Sequence, residues 1–128
     1  MESVLTALTT ILRDIHPDSY YQMNPKKQLI YPYLTFDYSS NIGEQRNQET
    51  ASLEIDVFCN GTSPLPAIQL EEKLKDALHM NRTLTDDVGL WFQFNNGQTI
   101  PTLVDNLHRR NVTFNLIIEK RRKNYGTT

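Results

Sequence analysis

The chain has 128 residues, of which 38% are hydrophobic, 22% charged and 9% aromatic, with a formal net charge of −2. That is the length of one domain with ordinary globular composition, which excludes collagen-like, coiled-coil and wholly disordered classes. The single cysteine, Cys59, excludes an internal disulfide framework and a cysteine-based zinc site, and no apolar run approaches the ~20 residues that cross a bilayer.

The opening MESVLTALTT carries Glu2 where an export signal carries Lys or Arg, so a cytosolic protein is expected. Val4, Leu5, Leu8, Ile11, Leu12 and Ile15 share one face at 3.6-residue spacing and predict a helix, with Ser3 as cap and Pro17 as stop. Residues 18–28 are polar and turn-like, with Tyr20-Tyr21-Gln22 as a candidate short strand. IYPYLTFDYS then alternates, Tyr31, Tyr33, Thr35 and Asp37 against Leu34, Phe36 and Tyr38, and Pro32 must lie at its start or on an edge. After a polar stretch over 39–48, Leu53, Ile55 and Val57 alternate with Glu54 and Asp56, which predicts a long antiparallel hairpin. Ser63 suits an N-cap and Pro64 a first helical position. Ala67, Leu70, Leu74, Ala77 and Leu78 form the buried stripe of a second helix that Asn81 closes, with Glu71 and Glu72 on its solvated side. Val88–Phe94 reads as a third strand broken by an Asn96-Gly97 turn, and Pro101 keeps 98–107 out of a central strand. The last strand sets Val112, Phe114, Leu116 and Ile118 against Thr113, Asn115, Ile117 and Glu119, and KRRKNYGTT runs on into solvent.

The order α-β-β-α-β-β predicts a single α+β domain over 1–128. Its architecture is a two-layer sandwich, two helices packed on a four- to five-stranded antiparallel or mixed sheet with a long β-hairpin. Residues 120–128 are expected to form a flexible basic tail. Charge is segregated: residues 1–108 carry 7 Lys and Arg against 14 Asp and Glu, whereas residues 109–128 carry 6 against 1. The acidic bulk argues against a DNA-reading domain, and the basic end suits an acidic partner.

Catalytic parts are missing. His16, His79 and His108 sit at element ends without metal-site spacing, and a helix dipole accounts for the first two. The pairs Glu71-Glu72 and Asp86-Asp87 read as solvated, the five glycines form no phosphate loop, and Cys59 has no adjacent base. Asn60, Asn81 and Asn111 head glycosylation-like triplets that read as chance matches in a cytosolic chain. The expectation is a non-enzyme with no cofactor and no metal, whose Tyr-rich strands and polar hairpin serve interactions.

The helix VLTALTTILRDI, the strand YPYLTFDY, the polar hairpin into ETASLEIDVF, the helix LEEKLKDAL and the ending DNLHRRNVTFNLIIEKR together resemble the tail terminator (tail completion) proteins of long, non-contractile-tailed phages and prophages. The resemblance covers nearly the whole chain. It implies a homo-hexameric ring at the head-proximal end of the virion tail, assembled in the host cytoplasm, with the free monomer left open. Such a ring stops tube polymerisation, with the tail tube protein and the head connector protein as partners. DNA passes through it unread, and no membrane is involved. The hairpin tip (Ile42, Gly43, Glu44, Gln45, Arg46, Asn47, Gln48) is assigned to subunit or tail-ring contacts, with Glu44 and Arg46 pairing across the interface. The basic end (Lys120, Arg121, Arg122, Lys123) is assigned to the connector or tube. A connector or adaptor subunit, and a small ligand-binding or enzymatic α+β domain, are the alternatives.

Overall fold

The computed structural model describes residues 2–40, 48–85 and 88–120. Helix α1 (Glu2–Ile15) buries Val4, Ala7, Leu8 and Leu12, and Leu5, Ile11 and Ile15 pack at the margin, as the 3.6-residue spacing requires. Beyond Pro17 the Ser19 hydroxyl is shared between the carbonyls of Leu12 and His16, at 3.2 and 2.6 Å, which ties down the helix end.

Strand β1 (Ser19–Tyr21) pairs in parallel with β2 (Tyr33–Ser40), which starts just after the cis Tyr31–Pro32 peptide. Pro32, lacking an N–H, thus stays out of the ladder. Strand β3 (Gln48–Asn60) returns antiparallel to β2. Helix α2 (Leu65–Leu78) follows, then β4 (Arg82–Leu84), β5 (Val88–Ile100) and β6 (Leu107–Lys120). The order in the sheet is β1-β2-β3-β6-β5-β4, so the central pair β3–β6 joins the two halves of the chain.

One face of the sheet is apolar over most of its extent, with Arg110 a charged exception. Leu53 lies opposite Phe114, Ile55 opposite Val112 and Leu90 opposite Ile118, all fully buried beneath the two helices. Each such side chain contributes roughly 1.5–3 kcal/mol by leaving water. Cys59 belongs to this core, 1% exposed.

The α+β assignment holds, and the strand count rises to six because two three-residue strands, β1 and β4, extend the edges. The expected Asn96-Gly97 turn is a correction. Strand β5 runs through both residues to Ile100, and the extra residue is absorbed as an irregularity in the register between Phe94 and Asn96. Long pairing with β6 outweighs the local turn preference. The last strand likewise begins at Leu107 rather than Val112, and includes Lys120, which the tail assignment had placed outside it. Helix α2 starts one residue later than expected, with Pro64 at the cap and the Ser63 hydroxyl accepting the Leu65 N–H at 3.1 Å.

Glu71 is the largest correction. It is 6% exposed, whereas Ala77 faces solvent. At 100° per residue position 71 falls only about 20° beyond Leu78, at the margin of the stripe formed by Ala67, Leu74 and Leu78, whereas position 77 falls about 60° beyond Leu74 on the other flank. The Arg110 Nε donates to Glu71 Oε1 at 2.6 Å, which meets the carboxylate's need for a partner.

Candidate interaction surface

With both helices on one side, the other face of the sheet carries the polar half of each strand's alternation. Cross-strand register orders it into rows. The first is Tyr33, Phe58, Arg109 and Ile100; the second Thr35, Asp56, Asn111 and Gln98; the third Asp37, Glu54, Thr113 and Asn96.

The first row is an aromatic ladder. Tyr33 stacks on Phe58 with centroids 4.9 Å apart and planes at 20°, Tyr31 tilts onto Tyr33 at 5.4 Å, and the Arg109 guanidinium lies 5.7 Å from the Phe58 centroid. Stacked rings and an arginine over a ring are the groups enriched where proteins meet. Arg109 is held in place because its Nε donates to Asp56 Oδ1 at 3.1 Å, and Asn111 Nδ2 donates to the same oxygen at 3.0 Å. Asn111, 8% exposed within β6, is therefore a structural hydrogen-bond donor.

The third row is different. Asp37 and Glu54 are exposed and directly opposite one another on β2 and β3, and among the described residues neither forms an ion pair. Like charges so placed destabilise a sheet by up to roughly 1 kcal/mol. Asp37 Oδ1 accepts the Tyr38 N–H at 2.9 Å. A shallow hollow of about 330 Å³ lies over Asp37, Ser52, Glu54 and Thr113, and another of about 230 Å³ continues over Thr35 and Asp56. Nearby phenols are pushed up in pKa: Tyr21 by burial and then by Asp37, and Tyr38 by burial and then by Tyr21, Glu49 and Asp37. Tyr33 is raised by burial and then by Tyr31.

The two ends of the sheet differ. At one end Gly61, with φ +124°, makes a turn that favours glycine, donating its N–H to Asn106 O at 2.8 Å and accepting at its carbonyl oxygen from His108 Nε2, 3.0 Å away. There Leu103 and Val104 project fully and mostly into solvent beside a groove of about 380 Å³ that Tyr31, Asn60 and Leu107 help to line. At the other end Gln48 faces Glu119 and Lys120 faces Val88. The strand ends that lead into both predicted contact segments, Gln48 and Lys120, therefore lie at the same end of the sheet. Ile42, Gly43, Glu44, Gln45, Arg46, Asn47, Arg121, Arg122 and Lys123 themselves lie outside the described residues.

The histidines are backbone latches. His16 Nε2 lies 2.7 Å from Pro32 O, and His79 Nδ1 accepts the Phe94 N–H at 2.9 Å on the outer edge of β5. These contacts, in addition to the helix dipole, account for them. Among the described residues no group of three His, Cys, Asp or Glu side chains could hold a metal ion, and no helix is long and apolar enough to cross a membrane. Alternation in the sequence already turned Glu54 and Asp56 outward. The neighbours Asp37, Phe58 and Arg109 were missed, because only register across β2, β3 and β6 assembles them.

No family model matches the chain, and no curated protein matches it. Solved structures do share its fold. A chain of the virion of the native gene transfer agent particle superposes with a TM-score of 0.63 at 18% identity, covering 84% of each chain. A second solved chain, whose name states no function, superposes with a TM-score of 0.64 at 12% identity, covering 91% of this chain and 96% of its own. At these identities the likeness is one of fold.

Proposed function

We propose that this chain is a structural virion protein of the tail-terminator kind, forming a ring on the last tail-tube ring, halting tube growth and presenting a surface to the head connector. The observation that carries the reading is the shared fold with a gene transfer agent virion chain over 84% of both lengths. The sequence resemblance supports the finer role. So does the distribution of chemistry, because a ring stacked between two different partners needs two unlike poles. One end of this sheet is apolar, with Leu103 and Val104, and the other emits the polar hairpin and the basic run. Ring closure requires a heterologous subunit contact, for which the broad open face is available. In this reading the protein has no catalytic role, and its partners are itself, the tube protein and the connector.

The test is light scattering across protein and salt concentration, followed by negative-stain microscopy with purified tail tubes. The expected result is a particle of six 14.9 kDa chains, or density capping one tube end. A monomer that ignores tubes under every condition overturns the terminator role. Binding to portal-bearing heads by the same protein then assigns it to the connector.

A further inference from the structure

We propose that the outer edge of β5, from Gly97 to Thr99, is a strand-addition site that pairs antiparallel with the same segment of a second copy of this chain. The inference does not rest on the ring reading, and it uses a surface which that reading leaves free.

Backbone polar groups decide which part of the edge is open. Up to Phe94 the edge is occupied: Thr85 N–H donates to Val88 O, Phe92 N–H to Asn81 O and Phe94 N–H to His79 Nδ1. On β6, Phe114, Val112 and Arg110 alternate without interruption, and opposite them sit Phe94, Gly97 and Thr99. Across the register shift the alternation therefore resumes at Gly97. The N–H and C=O groups of Gly97 and Thr99 point away from β6. Among the described residues nothing takes these groups, and Asn95, Asn96, Gln98 and Thr99 are exposed. Pro101, which has no N–H, closes the stretch at its far end.

The opposite edge of the sheet is blunted. Ser19 O accepts from Arg13 Nε at 3.1 Å, Tyr21 O accepts the Met23 N–H at 2.7 Å, and Asp37 Oδ1 takes the Tyr38 N–H. Proteins manage exposed edges because unpaired N–H and C=O groups template another strand. The open stretch of β5 therefore calls for an extended backbone, and the blunted edge of a second copy offers no matching run. The same segment does. A two-fold axis through Gln98 sets Gly97 of each copy opposite Thr99 of the other as a hydrogen-bonded pair, closing four backbone hydrogen bonds. Such an isologous contact is the commonest way in which soluble chains pair.

Helix α2 extends the match. Lys75 Nζ lies 4.6 Å from the Phe94 ring centroid and His79 takes the Phe94 N–H, while Glu71 lies against Gly97. The helix therefore runs antiparallel to β5, with the flank bearing Lys75 and His79 turned to the open edge. Ile68 falls midway between those two in helical angle, about 20° from each. It also lies about 4.5 Å beyond Glu71 toward the helix start, level with Gln98 and Thr99. Ile68 is 37% exposed, and the two-fold brings it toward Ile68 of the second copy, so pairing covers it.

Sedimentation of the full chain, from micromolar concentration to about 1 mM, is the test. Mass is expected to rise from one 14.9 kDa chain toward two. Amide exchange at Gly97 and Thr99 is expected to slow over the same range. Thr99→Pro removes an outward N–H that β6 does not use, and Ile68→Lys sets like charges beside the two-fold. Each weakens association about tenfold or more. Thr99→Val, which loses the hydroxyl but keeps the N–H, and Met23→Asp, on the blunted edge, leave association unchanged. A chain that is monomeric at about 1 mM overturns the proposal. So does a dimer that survives both Thr99→Pro and Ile68→Lys, or one whose Gly97 and Thr99 amides exchange as in the monomer. Amide protection that appears only on adding tail tubes gives the edge to the tube protein and overturns the proposal too. The ring reading fails separately. Six-chain particles untouched by both variants sink the edge contact alone, whereas dimers that never join a tube sink the ring and leave the edge.

Discussion

Glu71 shows how one side chain can link three elements. From α2 its carboxylate takes a charge-assisted hydrogen bond from Arg110 on β6, whose Nη1 donates to Thr99 Oγ1 on β5 at 2.9 Å. Glu71 raises the Arg110 pKa through that hydrogen bond, so the guanidinium keeps its charge. Arg110→Ala strands a buried carboxylate and is expected to cost about 2–4 kcal/mol, below the fully buried limit because the guanidinium keeps some solvent. The double variant Glu71→Met/Arg110→Leu loses much less, and urea midpoints of the three proteins measure the coupling. Gly97 is part of the same arrangement, since an added Cβ would meet the Glu71 carboxylate and lie 3.4 Å from Arg110 Nη2. Gly97→Ala therefore pushes the carboxylate off its partner and lowers Tm. The tyrosines set an alkaline limit. Phenols raised in the folded state stabilise it fully below the unfolded value of about 10, and that contribution is lost as pH climbs through the folded values. Absorbance titration should show Tyr33 and Tyr38 ionising after free tyrosine, with stability falling over the same interval; Tyr38→Phe should remove part of the fall.

At the scale of elements, the outer edge of β5 is sealed piecemeal. Strand β4 covers its first residues, Phe92 exchanges hydrogen bonds with Met80 and Asn81, and His79 takes the N–H of Phe94. His79→Ala leaves that edge N–H to water, with an expected loss of about 0.5–1.5 kcal/mol. Amide exchange should speed at Phe94 and its neighbours while β3 and β6 stay protected. Unchanged exchange would show that the latch does not hold the edge. Helix α1 works differently, because its hold on the sheet is apolar. Leu8 is fully buried, and Leu8→Ala should cost about 2–5 kcal/mol by denaturant midpoint. The elements were legible where periodicity was uninterrupted, as in α1, β2, β3 and the core of β6. They were misread where a local signal met a long-range partner: Asn96-Gly97 has turn chemistry, yet β6 offers it a ladder.

Across the whole molecule, chemistry is divided between two poles and one open face. The apolar pole yields a clean separation of folding from assembly. Leu103 and Val104 are exposed, so Leu103→Asp/Val104→Asp should leave Tm nearly unchanged and abolish joining to whichever partner meets that end. Retained joining in a tube-and-head reconstitution would remove that pole from the assembly surface. Charge reversal at Arg121 and Arg122 is expected to do the same at the basic pole without disturbing the fold.

What the amino-acid sequence determined by itself was the class of fold and which strand residues face inward, because alternation and 3.6-residue spacing are local properties of the chain. It also marked the segregation of charge. Only the tertiary structure placed Glu71 in the core, since its partner Arg110 lies 39 residues away. The tertiary structure alone also set Asp37 against Glu54 and ordered Tyr33, Phe58 and Arg109 into a ladder. Neighbours across strands are fixed by register, and register depends on how distant segments pair.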